Sequence, residues 1–371
     1  MERQIVIHQP QYVEIGAGSA AKAADWAAEF KKILILTSKS VAELVPKLGL
    51  NPSVEIYANI TAEPEDHVLH AALEVAKSYQ PDAIIGLGGG SVMDIAKLVS
   101  VMWAGQQQLE DIVGPNKVLN RFSKLALIPT TAGTGSEAGI RALVTNSETN
   151  AKMAVESPFM CADLAILDPE LTLSVPPVLT AVTGIDAMAH CVEAFTNIRA
   201  HSVIDGYARM GFGAVGRYLG RAVKDGTDKD ARTGMMMASY YGGICLGPVN
   251  TAAGHALAYP LGTKLKLPHG LANALIFPHV LGFNQPVCPD KTDEVLTALG
   301  KARATDSQTA FEQASQFCHS LGIDMKLSSY GAQTGQLRSF AEEAYGIRRL
   351  MDNNPRDMSI EDIEQIYQAA F

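Results

Sequence analysis

No stretch of this 371-residue sequence reaches the roughly 18 uninterrupted apolar residues that a membrane-spanning helix needs. The opening MERQIVIHQPQYVEIG alternates polar and apolar residues and lacks the continuous apolar core of a secretory signal, so secretion and membrane insertion are both disfavoured. Cysteine is scarce. Cys161, Cys191, Cys245, Cys288 and Cys318 lie far apart, odd in number and without a C-x-x-C pair, which argues against a disulfide framework or a zinc ribbon and fits a reducing cytoplasm. Positive charge is also short, with 30 Lys and Arg against 39 Asp and Glu. No basic run is long enough to track a phosphate backbone, so nucleic acid is not an expected partner.

What is present is the composition of an ordinary α/β enzyme, 47% hydrophobic and 19% charged, in a chain long enough to split into two domains. The first half alternates short apolar runs with helical patterns, the rhythm of a parallel sheet covered on both faces. Residues 32–37, 54–57, 83–87, 125–128 and 165–167 read as strands, and 40–48, 65–79 and 92–102 as helices. An alternating run over 5–15 reads as an N-terminal strand and a pairing edge. From about Pro177 strand signals fade, and 3.6-residue periodicity dominates over 179–196, 203–218 and 231–244.

The strand at 83–87 runs into Gly88-Gly89-Gly90-Ser91 before a helix. Glycine there permits positive φ and close backbone approach, and bare first-turn N–H groups with the helix dipole favour a pyrophosphate; a tight turn alone would use the same residues. Pro129-Thr130-Thr131-Ala132-Gly133-Thr134 follows another strand, with hydroxyls suited to a ribose or nicotinamide. Two such loops at neighbouring strand ends favour a dinucleotide over an isolated turn.

Asp186 and His190, four residues apart in a helical pattern, project from one face and can chelate, although such a pair is also a common hydrogen bond. His255 and His269 each lie among small and apolar residues. One carboxylate and three imidazoles suit Fe(II), Zn(II), Co(II) or Mn(II); buried, internally satisfied histidines are the alternative.

These pieces, in this order, resemble the iron-containing (group III) alcohol dehydrogenase superfamily, whose members include lactaldehyde reductase and hydroxyacid-oxoacid transhydrogenase. The likeness runs through GGGSVMD at 88–94, PTTAGTGSE at 129–137, TGIDAMAHCVEA, GHALAYPLG, LPHGLANALIFPH and DNNPRDMS. It implies a Rossmann-like α/β dinucleotide-binding domain over 1–175 and an all-α metal-binding and substrate domain over 176–371. It places the cofactor pyrophosphate on Gly88, Gly89, Gly90 and Ser91 with Asp94 beside it. Thr130, Thr131 and Thr134 fall near the nicotinamide half, and Lys152 matches a lysine facing the cofactor. Asp186, His190, His255 and His269 become the metal ligands, with Fe(II) the usual ion and Zn(II) possible. The implied activity is hydride transfer between NAD or NADP and a small alcohol or aldehyde, in a homodimer. A hydroxyacid-oxoacid transhydrogenase, or an oxo-acid reductase of the maleylacetate type, is the alternative.

Two departures from the resemblance bear on chemistry. Tyr259 stands where lactaldehyde reductase and similar enzymes have a histidine credited with proton handling, and the reference pKa of tyrosine is near 10 rather than about 6.5. Where NAD-preferring relatives often carry an aspartate, this chain reads Thr37-Ser38-Lys39; Ser38 removes a repulsion and Lys39 offers attraction for a 2′-phosphate, so NADP is expected to be tolerated. Arg141, in a strand reading of 139–145, is a further candidate for recognising an anionic substrate, against the alternatives of snorkelling or pairing with Glu137.

Overall fold

The computed structural model describes residues 3–50, 54–149 and 151–371, so the first two positions of the expected N-terminal domain lie outside the described residues. The chain forms two compact units, Ile7–Ser174 and Val175–Phe371, the second also gathering the residues up to Val6. Arg3 fixes that N-terminal stretch to the second unit, donating from Nη2 to the carbonyls of Arg199 at 2.8 Å and Pro248 at 2.6 Å.

The unit Ile7–Ser174 is built on a parallel sheet of β1 (Tyr12–Ile15), β2 (Ile33–Leu36), β3 (Glu55–Tyr57), β4 (Ala83–Gly88), β6 (Lys124–Pro129) and β9 (Leu164–Leu167), in the order β1-β9-β6-β4-β2-β3. All four residues of β2 (ILIL) and all six of β4 (AIIGLG) are buried, as strands covered on both faces must be. The helices that cover them include α1 (Lys22–Ala27), α2 (Asp66–Tyr79), α3 (Gly90–Met102) and the single turn α4 (Leu109–Ile112). From β2 the chain leads to β3 on one side, and from β4 to β6 on the other. The gap between β2 and β4 is therefore the topological switch point, where ligands bind at the carboxyl ends of strands in open α/β sheets.

Three expectations change here. The N-terminal strand is confined to β1, the part that pairs with β9; residues 5–10 stay irregular. The helix expected over 40–48 is a 3₁₀ segment, Ala42–Leu48, containing Pro46, which has no N–H to give an α-helical ladder. A second sheet was not anticipated: β5 (Gly114–Pro115), β7 (Arg141–Thr145) and β8 (Lys152–Glu156) pair in the order β5-β8-β7, with β7 and β8 antiparallel.

Val175–Phe371 is helical throughout the described residues: α5 (Pro177–Thr196), α6 (Ser202–Lys224), α7 (Lys229–Leu246), α8 (Ala253–Leu265), α9 (His269–Asn284), α10 (Pro289–Ala298), α11 (Ser307–Ser320), α12 (Leu337–Gly346), α13 (Arg348–Met351) and α14 (Ile360–Ala369). Helix α5 is long and apolar enough to cross a membrane, but 83% of its apolar window is buried inside the protein. That burial marks it as the core helix on which α6, α7 and α9 pack, and it carries Asp186 and His190.

Candidate metal centre and cofactor cradle

Each donor of the candidate metal centre is set by a helix. Asp186 and His190 sit one turn apart on α5, His255 in the first turn of α8, and His269 at the first residue of α9 after Pro268. The imidazole Nε2 atoms of His190, His255 and His269 lie 3.8, 3.6 and 3.6 Å from Asp186 Oδ1, and all four donor atoms fall within 4.8 Å of one another. Bonds of about 2.0–2.2 Å to a tetrahedral ion place its ligands roughly 3.4 Å apart, so these separations fit a divalent cation. The Asp186, His190 and His255 side chains are 3–6% exposed and His269 27%, so the cage opens on the His269 side.

The electrostatics agree with a cation-binding purpose. Burial alone would raise the Asp186 carboxyl, but His190, His269 and His255 hold it well below the usual carboxylate range. Burial lowers His190 to about 4. His255 goes the other way, to about 10, because Glu193 and Asp186 outweigh its burial. Two carboxylates thus face one imidazole in a region shielded from water, a surplus of negative charge that a bound cation satisfies.

Two residues that sequence reasoning passed over complete this shell. Glu193, three residues after His190, places Oε1 2.5 Å from His255 Nδ1, while Oε2 accepts from the backbone N–H of Ala252 at 2.5 Å and of His255 at 3.3 Å. It therefore fixes His255 with Nε2 toward the other donors, and caps the start of α8. Gly254 makes room: a Cβ there would stand 2.7 Å from Glu193 Oε1. Asn273, four residues after His269, donates from Nδ2 to Asp186 Oδ1 at 2.6 Å and lies 3.2 Å from both His255 Nε2 and His269 Nε2. The i+3 and i+4 spacings were the available signal, since each puts the residue on the ligand face of its helix.

Tyr259, one turn beyond His255, stands with its ring 6.2 Å from that of His269, and its hydroxyl accepts from Arg349 Nη2 at 3.1 Å.

In the other unit, the loops after β2, β4 and β6 gather at one end of three adjacent strands. Helix α3 begins at Gly90 with Gly89 as N-cap, and no side chain caps it, so its first-turn amides are not satisfied by a capping group. Of the two reasons expected for glycine, positive φ does not apply and close approach does. None of Gly88, Gly89 and Gly90 has positive φ, and Gly89 sits at φ −75°. Space is what demands them: a Cβ at Gly88 would meet Val92 Cγ2 at 2.6 Å, and one at Gly90 would meet Thr134 Cγ2 at 2.7 Å. The glycine turn and threonine loop are packed against each other, and Thr130 N–H donates to Gly88 O at 3.0 Å. Thr131 also borders the turn, 3.2 Å from a Cβ built at Gly89.

Asp94 turns inward, accepting from Ser136 Oγ at 2.6 Å and from the Leu143 N–H at 3.0 Å. Buried Lys97 joins it, donating to Ser136 Oγ and the Arg141 carbonyl at 2.8 and 2.7 Å. Together they bolt α3 to the threonine loop and to β7. Glu137, also buried, has no partner for either carboxylate oxygen among the described residues, and burial holds its carboxyl up at about 7. Ser91 Oγ accepts from the Glu63 N–H at 3.1 Å, and Lys152 pairs with the Glu63 carboxylate. At the end of β2, Ser38 shares a hydroxyl contact with Ser40 at 3.1 Å and Lys39 is exposed. Arg141 does not pair with Glu137; it pairs with Glu156, its cross-strand neighbour on β8, at 2.8 Å.

Comparison with known proteins accords with both units. Residues 10–169 match the family model described as iron-containing alcohol dehydrogenase, and 180–371 the model described as Fe-containing alcohol dehydrogenase family, C-terminal. The chain is 36% identical over 327 residues to "Long-chain-alcohol dehydrogenase 1" of Geobacillus thermodenitrificans, covering 86% of this chain and 82% of that one. It is 32% identical to "Sulfoacetaldehyde reductase" of Bilophila wadsworthia, covering 96% of each. Among solved structures, an alcohol dehydrogenase from Oenococcus oeni superposes with a TM-score of 0.93 at 27% identity, covering 99% of this chain and 100% of that one.

Proposed function

From the premise that this chain belongs to the iron-containing alcohol dehydrogenase family, we propose that it is a metal-dependent, NAD(P)-dependent oxidoreductase interconverting a small alcohol and its aldehyde. The observation that carries the metal dependence is the closure of Asp186, His190, His255 and His269 within 4.8 Å, three of them buried. A divalent ion, Fe(II) or alternatively Zn(II), supplies Lewis-acid stabilisation of charge developing on the substrate oxygen, and a nicotinamide supplies or takes the hydride.

The protein's part is positional. Glu193 and Asn273 orient His255 and Asp186, so that the donor set is held ready before substrate arrives. His269, the most exposed donor, marks the side on which substrate approaches. Tyr259 sits on that side as the hydroxyl available for proton exchange with the substrate oxygen, in place of a histidine. Gly88, Gly89, Gly90 and Ser91 receive the pyrophosphate on the first turn of α3, while Thr130, Thr131, Thr134 and Lys152 serve the nicotinamide half.

Exposed Lys39 and the absence of a carboxylate at Ser38 favour acceptance of NADPH, with a KM no worse than for NADH. A strong NADH preference unaltered by Lys39→Ala contradicts that assignment. We expect a homodimer in the cytoplasm: β1 forms one edge of the sheet with Tyr12 60% and Ile15 51% exposed, and all five cysteines are free thiols. Light scattering tests the first expectation. Activity is tested with a panel of alcohols and aldehydes on metal-reconstituted protein with either nucleotide; the absence of turnover across the panel sinks the reading.

A further inference from the structure

The arginine that sequence reasoning nominated for anion recognition is paired with Glu156, but a different one is bonded to Tyr259, the ring neighbour of His269. Arg349, on α13, donates from Nη2 to Tyr259 Oη at 3.1 Å, and its guanidinium carbon lies 5.6 Å from the centre of the Tyr259 ring. No carboxylate of the described residues pairs with it within 4 Å, in contrast to its neighbour Arg348, which pairs with Asp352. The Arg349 backbone is held in place: its carbonyl accepts from Asn353 Nδ2 at 3.1 Å, and the same amide nitrogen reaches Thr251 O, just before α8, at 2.9 Å.

Exposed Arg349 thus lies 5.6 Å from the Tyr259 ring, which is itself 6.2 Å from the ring of His269, the most exposed of the four donors. Arg349 donates to the Tyr259 oxygen through Nη2 alone, so the remaining guanidinium N–H groups are donors without an acceptor among the described residues. A donor cluster of this kind is complementary to a carboxylate, sulfonate or phosphonate, and a planar fork binds such groups through two parallel bonds.

We propose that Arg349, positioned by its hydrogen bond to Tyr259, forms the subsite for an anionic group at the far end of the substrate, so that this enzyme prefers a short aldehyde or alcohol acid over its neutral counterpart. The proposal rests on the oxidoreductase reading above and names the substrate class for that same site. One charge-assisted contact of this type corresponds to roughly a 10- to 100-fold preference.

The test compares kcat/KM for succinic semialdehyde and for butanal, both four-carbon aldehydes, in the wild type, Arg349→Ala and Arg349→Lys. The expected result is a wild-type ratio of at least about tenfold in favour of the acid. In Arg349→Ala that preference collapses through a raised KM for the acid, and Arg349→Lys restores part of it. A ratio near unity in the wild type, or one unmoved by Arg349→Ala, overturns the proposal. If neither aldehyde is turned over, the oxidoreductase reading has failed, and the subsite is judged by calorimetric binding of succinate to metal-loaded protein. Loss of at least about tenfold in that affinity on Arg349→Ala supports the subsite, and equal binding overturns it.

Discussion

Replacing Glu193 by glutamine changes one oxygen to an NH₂ group and leaves the volume of the side chain alone. The carboxylate uses both oxygens, Oε1 on His255 Nδ1 at 2.5 Å and Oε2 on the Ala252 N–H at 2.5 Å, so whichever way the amide turns, one hydrogen bond becomes a clash between donors. Losing a charged hydrogen bond costs about 1.5–3 kcal/mol, and losing the partner that orients a ligating histidine typically weakens metal binding roughly 10- to 100-fold. Glu193→Gln should therefore raise the Kd for Zn(II) by that factor in a competition titration against a chromophoric chelator. Gly254→Ala offers an independent route, because its Cβ would stand 2.7 Å from Oε1 and 3.0 Å from Cδ of Glu193 and push an intact carboxylate off His255. Alanine favours a helix over glycine by about 1 kcal/mol, so helix propensity does not account for weaker binding there, and Tm measured alongside separates loss of fold from loss of metal. Wild-type metal affinity in both folded variants refutes the positioning role. A fall in Tm with unchanged affinity would leave Glu193 as a helix cap only.

Glu137 predicts a pH dependence of stability. Its carboxyl is held at about 7 against an ordinary value of 4.5, so between these the fold keeps a proton that the unfolded chain has released. Stability should then fall as pH rises through that window, by up to roughly 3 kcal/mol, and Glu137→Gln should flatten the trend in urea unfolding; an unchanged slope contradicts the assignment. Gly90→Ala brings a Cβ to 2.7 Å from Thr134 Cγ2 and should weaken NAD(P)H binding on the order of tenfold by calorimetry, about 1.4 kcal/mol. Binding at wild-type strength would show that the packing of the two loops is immaterial to the nucleotide.

The parallel core was legible because β2, β4 and β6 are buried on both faces and so appear as unbroken apolar runs. Strand β8 (KMAVE) was not, being short and partly exposed, and without β8 the pairing of Arg141 with Glu156 could not be foreseen. The four metal-ligand candidates stood out as histidines and an aspartate in apolar contexts. Glu193 and Asn273 did not, because one acidic or amide residue on a helix normally faces solvent, and only the packing of α5, α8 and α9 turns these inward. Arg349 was hidden for a different reason: its partner Tyr259 is 90 residues away in sequence. The glycines at 88–90 were legible as a strand-to-helix turn, and of the two reasons expected for them close approach, to Val92 and Thr134, applies while positive φ does not.

On the proposed function, Asp186, His190, His255 and His269 hold the ion on which activity depends. Anaerobic titration of chelator-stripped protein with Fe(II), following NADPH oxidation with an aldehyde and metal content together, tests it most directly. Activity should rise in step with metal and saturate at one ion per chain, and both should be lost in His255→Ala and His269→Ala. Full activity in the stripped protein, or a His255→Ala variant that retains its metal and its rate, would contradict the account.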